Sequence, residues 1–319
     1  MRKLCLLISI ACASSLFGAY PDEYPAYLRL LGLSKTEIRD LQEGRFIARS
    51  LKDRRPGEFG ITAAKVFDVP GYFIRDYYSY IENFRNLRSF RAVGKFKSIP
   101  DLQDLLPLKF DTEELQQLAA CRSNCALNLT DNEMALIGQN PNLEDLYRKI
   151  LLERLHHYTQ GGNPAESYLA EFPHLSAYFP NVVEYLAVYP AARDRRIPDF
   201  FYWTKERIGK KNVVQIRHVF SQKVQEDFIL VDHLVYSNHS VLASAFVLHL
   251  INYADGGMPR TLAVYHGRNY VDSETGRAAG VDKRIFSAFR HAGEELEKRY
   301  QNRRVYSGFP YGLVSTDQR

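Results

Sequence analysis

Tryptophan, methionine and cysteine are scarce in this chain: one Trp, three Met and four Cys stand among 319 residues. Two of the cysteines, Cys5 and Cys12, fall in the opening dozen positions. The remaining pair is Cys121 and Cys125, in Cys-Arg-Ser-Asn-Cys. A c-type haem attachment needs Cys-x-x-Cys-His, and neither that spacing nor the His is present. A zinc site needs four ligands, and there is no second Cys pair to complete one. A Gly-rich phosphate or dinucleotide loop is lacking, as are a Gly-x-Ser-x-Gly elbow and a His-Glu-x-x-His helix. Those gaps count against nucleotide binding, α/β-hydrolase chemistry and zinc proteolysis. No apolar run approaches the ~20 residues that cross a bilayer as a helix. Strong charge is missing too. The formal charge is +5, and removing Arg2 and Lys3 leaves +3. That balance is too mild to point to nucleic acid. The sequence therefore names no cofactor, no metal and no nucleic-acid partner.

Aromatics are what the chain has in excess, with 21 Tyr and 19 Phe. Tyr has an apolar body and a polar tip and suits pocket walls as well as cores. The first residues read as a targeting segment, 1–19: Met1-Arg2-Lys3 is the positive start, Leu4–Ile10 the apolar stretch, and Ala13 and Ser15 satisfy the small-x-small rule. An exported protein, periplasmic or secreted, is the expectation. Cys12 leaves a lipoprotein anchor as the second choice, with Ser9 standing where a Leu is usual. In an oxidising compartment Cys121 and Cys125 are expected to pair, within a turn, because Cys at i and i+4 of a regular helix fit bridge geometry poorly.

Along the chain, residues 20–33 read as an aromatic, proline-punctuated arm. Ser34-Lys35-Thr36-Glu37 is a capping box that starts a helix. Strands are expected at Gly44–Leu51 and Phe59–Val69. A helix over Tyr72–Phe84 follows the stop at Asp68-Val69-Pro70. Phe90–Ser98 reads as extended, Pro100–Leu106 as a short acidic turn, Asp111–Ala120 as a helix and Ala126–Leu129 as a strand. Residues 130–200 form a helical insertion, with helices at Asp131–Ile137, Asn142–Gln160, Asn163–Phe172 and Asn181–Ala187. Then come four strands of period-2 alternation, Asn212–Phe220, Phe228–Ser237, Val241–Tyr253 and Thr261–Asp272. The helix Val281–Tyr300 carries Ile285, Phe289, Ala292 and Leu296 on one stripe. Residues 301–319 read as a flexible tail.

This order resembles the START-like (helix-grip) ligand-binding superfamily. The residues that carry the resemblance are Ala63-Ala64-Lys65-Val66-Phe67-Asp68-Val69-Pro70 with the helix to Phe84, and Asn212–Asp272 with the helix to Tyr300. The fold class it implies is α+β: an antiparallel sheet wrapped on a long C-terminal helix, here with a helical insertion. Residues 20–129 would supply the arm and the first strand-helix half, and 201–300 the meander and final helix. The resemblance implies an apolar space between sheet and helix, holding a lipid or another hydrophobic small molecule.

Such a pocket is mostly apolar with a few placed polar groups. Arg217, His233, Tyr236, His249, Tyr265 and Arg268 are the candidate polar lining, and Phe289 and Ala292 the helix side. Arg268 could pair with Asp272 or with a ligand carboxylate or phosphate; the competing reading, favoured here, is a strand-end salt bridge that closes the sheet onto the final helix. Glu153-x-x-His156 and Glu171-x-x-His174 have the spacing of di-metal helices, but Pro173 breaks the second. Three function classes follow. The first is an exported binder of a hydrophobic molecule, with contact to a membrane surface. The second is an enzyme on the same substrate class, with His233 or Asp232 as acid or base. The third is a structural envelope factor with a closed core.

Overall fold

The computed structural model describes residues 24–30, 32–51, 57–84, 90–122, 125, 127–160, 199–208, 211–239, 241–255, 257–271 and 281–307. The expected targeting segment lies outside them, as do the helices at 163–172 and 181–187. The first helix, α1 (Tyr24–Leu30), lies in the stretch read as an arm. The capping box starts α2 (Lys35–Gln42): Ser34 Oγ accepts from the Glu37 amide, and the Glu37 carboxylate accepts from the Ser34 amide.

Strands β1 (Ile47–Leu51) and β2 (Glu58–Phe67) form an antiparallel pair. Pro70, extended at φ −69° and ψ 145°, caps α3 (Gly71–Ser79). This helix ends earlier than its apolar spacing suggests. Tyr80 leaves helical geometry at ψ 85°, and a 3₁₀ turn at Ile81–Phe84 completes the segment. Strand β3 (Phe90–Lys95) follows, then a 3₁₀ turn at Leu102–Leu105 capped by Asp101. Helix α4 (Thr112–Ala119) also has a capping box, Asp111 with Glu114. Cys121 and Cys125 are bridged in the turn after α4, with Cα atoms 5.2 Å apart. No strand forms at 127–129. There the Asn128 amide donates to the carbonyl of Asn238, and its side-chain Nδ2 to that of Ser237. Helices α5 (Asp131–Gln139) and α6 (Leu143–Thr159) start at Thr130 and Asn142.

The second half is a meander: β4 (Asp199–Ile208), β5 (Lys211–Val224), β6 (Asp227–Ser237), β7 (Val241–Asp255) and β8 (Met258–Val271). Strand β4 is not among the four strands expected, although most of it falls in the stretch 201–300 assigned to the meander; its Phe-Phe-Tyr-Trp-Thr run has high strand preference. All neighbours are antiparallel, in the order β1-β2-β8-β7-β6-β5-β4-β3. The fold is thus α+β with an open eight-stranded antiparallel sheet. The last helix, α7, is Val281–Ser307. It runs past Tyr300, into the stretch read as tail, because Gln301-Asn302-Arg303-Arg304 holds no breaker before Gly308 and Pro310.

Alternate residues of each strand point to opposite sides, so the sheet has two cores. Ala63, Phe67, Tyr202, Val219, Leu230, Leu248 and Ala263 share one core with Phe289, Ala292 and Leu296 of α7 and with Ile74 and Tyr77 of α3. We call this the helix-facing side. On the other side Trp203, Val214, Ile216 and Tyr236 pack under α4, α5 and α6. There too, Ala64, Val66, Ile251 and Val264 pack under α1 and α2. The sheet is covered on both faces over much of its area, so apolar residues at consecutive positions, such as Val213 and Val214 on β5 and Val247 and Leu248 on β7, are both buried.

Candidate functional site on the helix-facing side

The helix-facing core is interrupted by a polar patch, made where β4, β5, β6 and β7 run side by side. Tyr202 on β4 pairs with Arg217 on β5, and Arg217 with Leu234 on β6. A register shift between Ile216 and Arg217 sits at this point, and such a bulge re-aims the side chains around it. The Arg217 guanidinium is buried and committed on three nitrogens. Its Nε donates to Asp232 Oδ1 at 2.7 Å, Nη1 to Gln215 Oε1 at 2.9 Å and Nη2 to Ser244 Oγ at 3.1 Å. Tyr202 Oη donates to the other Asp232 oxygen at 2.6 Å. Thr204 Oγ1 donates to Glu206 Oε1 at 3.0 Å.

Burial and charge set the protonation here. The Asp232 carboxylate holds the Arg217 proton more tightly than usual, against burial, which acts to release it. Burial pushes the Tyr202 phenol well up, with the Asp232 charge adding to it. Burial also pushes the Glu206 carboxyl above its usual range, outweighing Thr204 and Arg217. Glu206 is thus shifted toward its neutral form beside a compensated Arg–Asp pair.

An aromatic ladder leads from this patch to α7. The Arg217 guanidinium lies over the Phe246 ring, 5.1 Å from its centroid. Phe246 stacks on Tyr265 at 5.3 Å, and Tyr265 meets Phe289 of α7 at 4.8 Å. Gly267 makes the ladder possible. It pairs with Phe246 across β7 and β8, and a Cβ there would lie 2.1 Å from the Phe246 ring. Beside the patch, Asn269 pairs with Ser244 on one flank and with Phe59 on the other. Asn269 is buried, and its Nδ2 has no hydrogen-bond partner.

Of the eight residues singled out in the sequence, Arg217, Tyr265, Phe289 and Ala292 lie together on this side. The other four lie on the opposite side. His233 Nε2 is 2.9 Å from Tyr158 Oη and 3.2 Å from His218 Nδ1. His218 Nε2 in turn lies 3.3 Å from Asp199 Oδ2. Burial and the neighbouring His218 hold His233 well below the usual imidazole range. Tyr236 donates to the Asn128 carbonyl at 3.2 Å, under the Arg154 guanidinium, and burial moves its phenol up to about 12. His249 Nδ1 is 3.1 Å from Tyr27 Oη. Arg268 is in a buried ion pair with Glu58 on β2. That closes β8 onto β2 within the sheet and not onto the final helix; Asp272 lies outside the described residues. Among the described residues no cluster of His, Cys, Asp and Glu has the arrangement of a metal site, and no helix is long and apolar enough to cross a membrane.

The sequence reading missed Tyr202, Glu206, Gln215, Ser244 and Asn269 as members of the patch. Their parity was the available signal: Gln215 alternates in step with Arg217, and Tyr202, Thr204 and Glu206 alternate along β4. Neither a protein-family model nor a curated protein matches this chain.

Proposed function

We propose that the protein binds a hydrophobic small molecule, a lipid among the candidates, between the sheet and α7. The observation that carries this reading is the make-up of the helix-facing side. It is an apolar and aromatic surface with a buried polar patch, in which the Asn269 amide nitrogen lacks a partner. Binding sites for small amphipathic molecules combine an apolar wall with a few placed polar groups. A buried, unpaired donor costs on the order of 1–3 kcal/mol unless something accepts from it. In this reading the ladder from Phe246 to Phe289 lies along the ligand's body, and the patch meets its polar end. The element order fits a helix-grip architecture in which β2 leads through α3 to the far edge of the sheet and the meander returns to it. Export, and delivery of the ligand at a membrane surface, complete the proposal.

The test is extraction of the purified full-length chain with organic solvent, followed by mass spectrometry. A stoichiometric apolar compound is the expected result. Protein that is empty, and that takes up no apolar dye, would leave a closed structural core as the better account. One observation favours a second reading, catalysis on the same molecule: the Glu206 carboxyl is pushed toward its protonated form and so suits a proton donor. Recovery of a chemically altered compound after incubation, lost in Glu206→Gln, would distinguish it.

A further inference from the structure

We propose that the polar end of the bound molecule is an uncharged acceptor oxygen, as in an ester, amide or ketone, and that it is seated at the Ser244–Asn269 pair. The inference rests on the binding function proposed above and narrows it. It excludes free carboxylates and phosphate head groups from this seat.

Charge accounting on the helix-facing side carries the argument. The Arg217 guanidinium is the cation buried in the patch, and Asp232 neutralises it at 2.7 Å. Lys65, also facing α7, is held by Glu297 at 2.7 Å. A carboxylate or phosphate entering here would have to take Arg217 from Asp232 or remain unpaired. Either outcome leaves one negative charge uncompensated, at the buried seat or on the half-buried Asp232, which is more costly than burying a neutral polar group. What the patch does present is hydrogen-bond donation. Asn269 offers Nδ2, buried and without a partner. Ser244 Oγ accepts from Arg217 Nη2 at 3.1 Å, and its own proton remains to be donated. The two residues are directly paired across β7 and β8, so their side chains stand on the same side of the sheet. Two neighbouring donors without a net positive charge match a carbonyl oxygen with its two lone pairs. Phe59 and the Phe246–Tyr265 stack flank the seat with apolar surface, as the rest of such a molecule requires.

The test uses the full-length protein and three fluorescent probes: cis-parinaric acid, its methyl ester, and the unfunctionalised diphenylhexatriene. Above neutral pH, where the acid is ionised, the ester is expected to bind about tenfold or more tightly than the acid. Asn269→Leu, close in size and without donors, should weaken the ester about fivefold or more while leaving diphenylhexatriene unchanged. Ser244→Ala should weaken the ester in the same sense, and it guards against a folding defect in the first variant. An acid that binds as well as the ester to the unaltered protein overturns the inference without any variant and leaves the binding function standing. Equal loss of all three probes in both variants also overturns it, since the effect would then be one of packing. If none of the three binds the unaltered protein, the binding function falls and takes this inference with it.

Discussion

The two faces of this sheet treat buried polarity in different ways, although consecutive residues supply both. Arg217 and His218 are neighbours on β5, and Asp232 and His233 are neighbours on β6. Alternation sends Arg217 and Asp232 toward α7, and the two histidines to the opposite side. There the histidines enter a chain of contacts that runs from Asp199 through His218 to His233 and Tyr158. That chain sits beneath α6, which supplies Tyr158, and its members satisfy one another. The helix-facing patch instead holds a formal ion pair, a carboxyl displaced toward neutrality, and an amide with an unmatched donor. The opposite side is not perfectly satisfied, since Arg268 Nε lacks a partner. That atom, however, belongs to a guanidinium whose charge Glu58 already neutralises. A closed network is what a packed core needs, and an open one beside an aromatic ladder is what a ligand can complete.

The sharpest way to break the comparison is to remove one charge from the helix-facing patch. Asp232→Leu leaves the Arg217 guanidinium buried without its counter-ion, and the expected loss is about 3–5 kcal/mol in a denaturant titration. The double variant Arg217→Met with Asp232→Leu should recover most of it, because an apolar pair leaves no charge stranded. A double variant no more stable than the single one would show that the patch is held together by something other than charge pairing.

A smaller effect separates the packed part of the helix-facing side from the part proposed to take a ligand. Ala292 on α7 is buried at 4% exposure, within the same core as Leu296. Overpacking a closed core costs typically ~1–3 kcal/mol. In a chain with room under the helix, Ala292→Phe should hold its stability and lose dye binding. Glu294, two residues on and exposed, serves as the reference: Glu294→Ala should change stability by roughly 0.5 kcal/mol or less. Melting and dye uptake measured together on the three proteins decide the matter.

Much of this is legible in the sequence. The capping box at Ser34, the stop at Pro70, the meander and the stripe of Phe289, Ala292 and Leu296 all follow from local rules, each set by residues a few positions apart. The parity of β5 was legible too, with Gln215, Arg217 and Val219 on one side and Ile216, His218 and Phe220 on the other. Which parity faces the final helix was not. That choice depends on how β5 registers against β4 and β6, more than ten residues away in sequence on either side. Placing His233 beside Arg217 in one candidate site reflects that gap: the register shift at Ile216 and Arg217 and the intervening alternation put them back to back. Asn269 was beyond local reasoning altogether. Its unmatched amide is a property of Ser244 and Phe59 standing beside it.

The finest distinction between the faces lies in how each responds to pH. On the helix-facing side, Glu206 has its carboxyl raised in the folded chain from 4.5 by burial. Above that pH the unfolded chain has released a proton that the folded chain retains. The Glu206 contribution is therefore fully present at or below 4.5 and is lost as pH rises through the folded value. On the opposite side, His233 is lowered well below 6.5, by burial first and by His218 and Arg217 after it. Below 6.5 the unfolded chain takes up a proton that the folded chain refuses, so this contribution is present above 6.5 and is lost as pH falls. Each slope is bounded at about 1.4 kcal/mol per pH unit, and the two have opposite signs. Where their windows overlap they offset one another in the unaltered protein, and single substitutions should expose them separately. Glu206→Gln keeps an acceptor for Thr204 and removes the titration. Its stability relative to the unaltered chain should rise with pH above 4.5. His233→Gln should show the reverse, gaining on the unaltered chain as pH falls below 6.5. The measurement is denaturant unfolding of the three proteins at a series of pH values, read as differences from the unaltered chain so that the remaining groups cancel. A difference for Glu206→Gln that stays level across the series would mean that its carboxyl ionises as freely in the fold as outside it. The helix-facing patch would then be wet, and the contrast between the two faces would lose its electrostatic half.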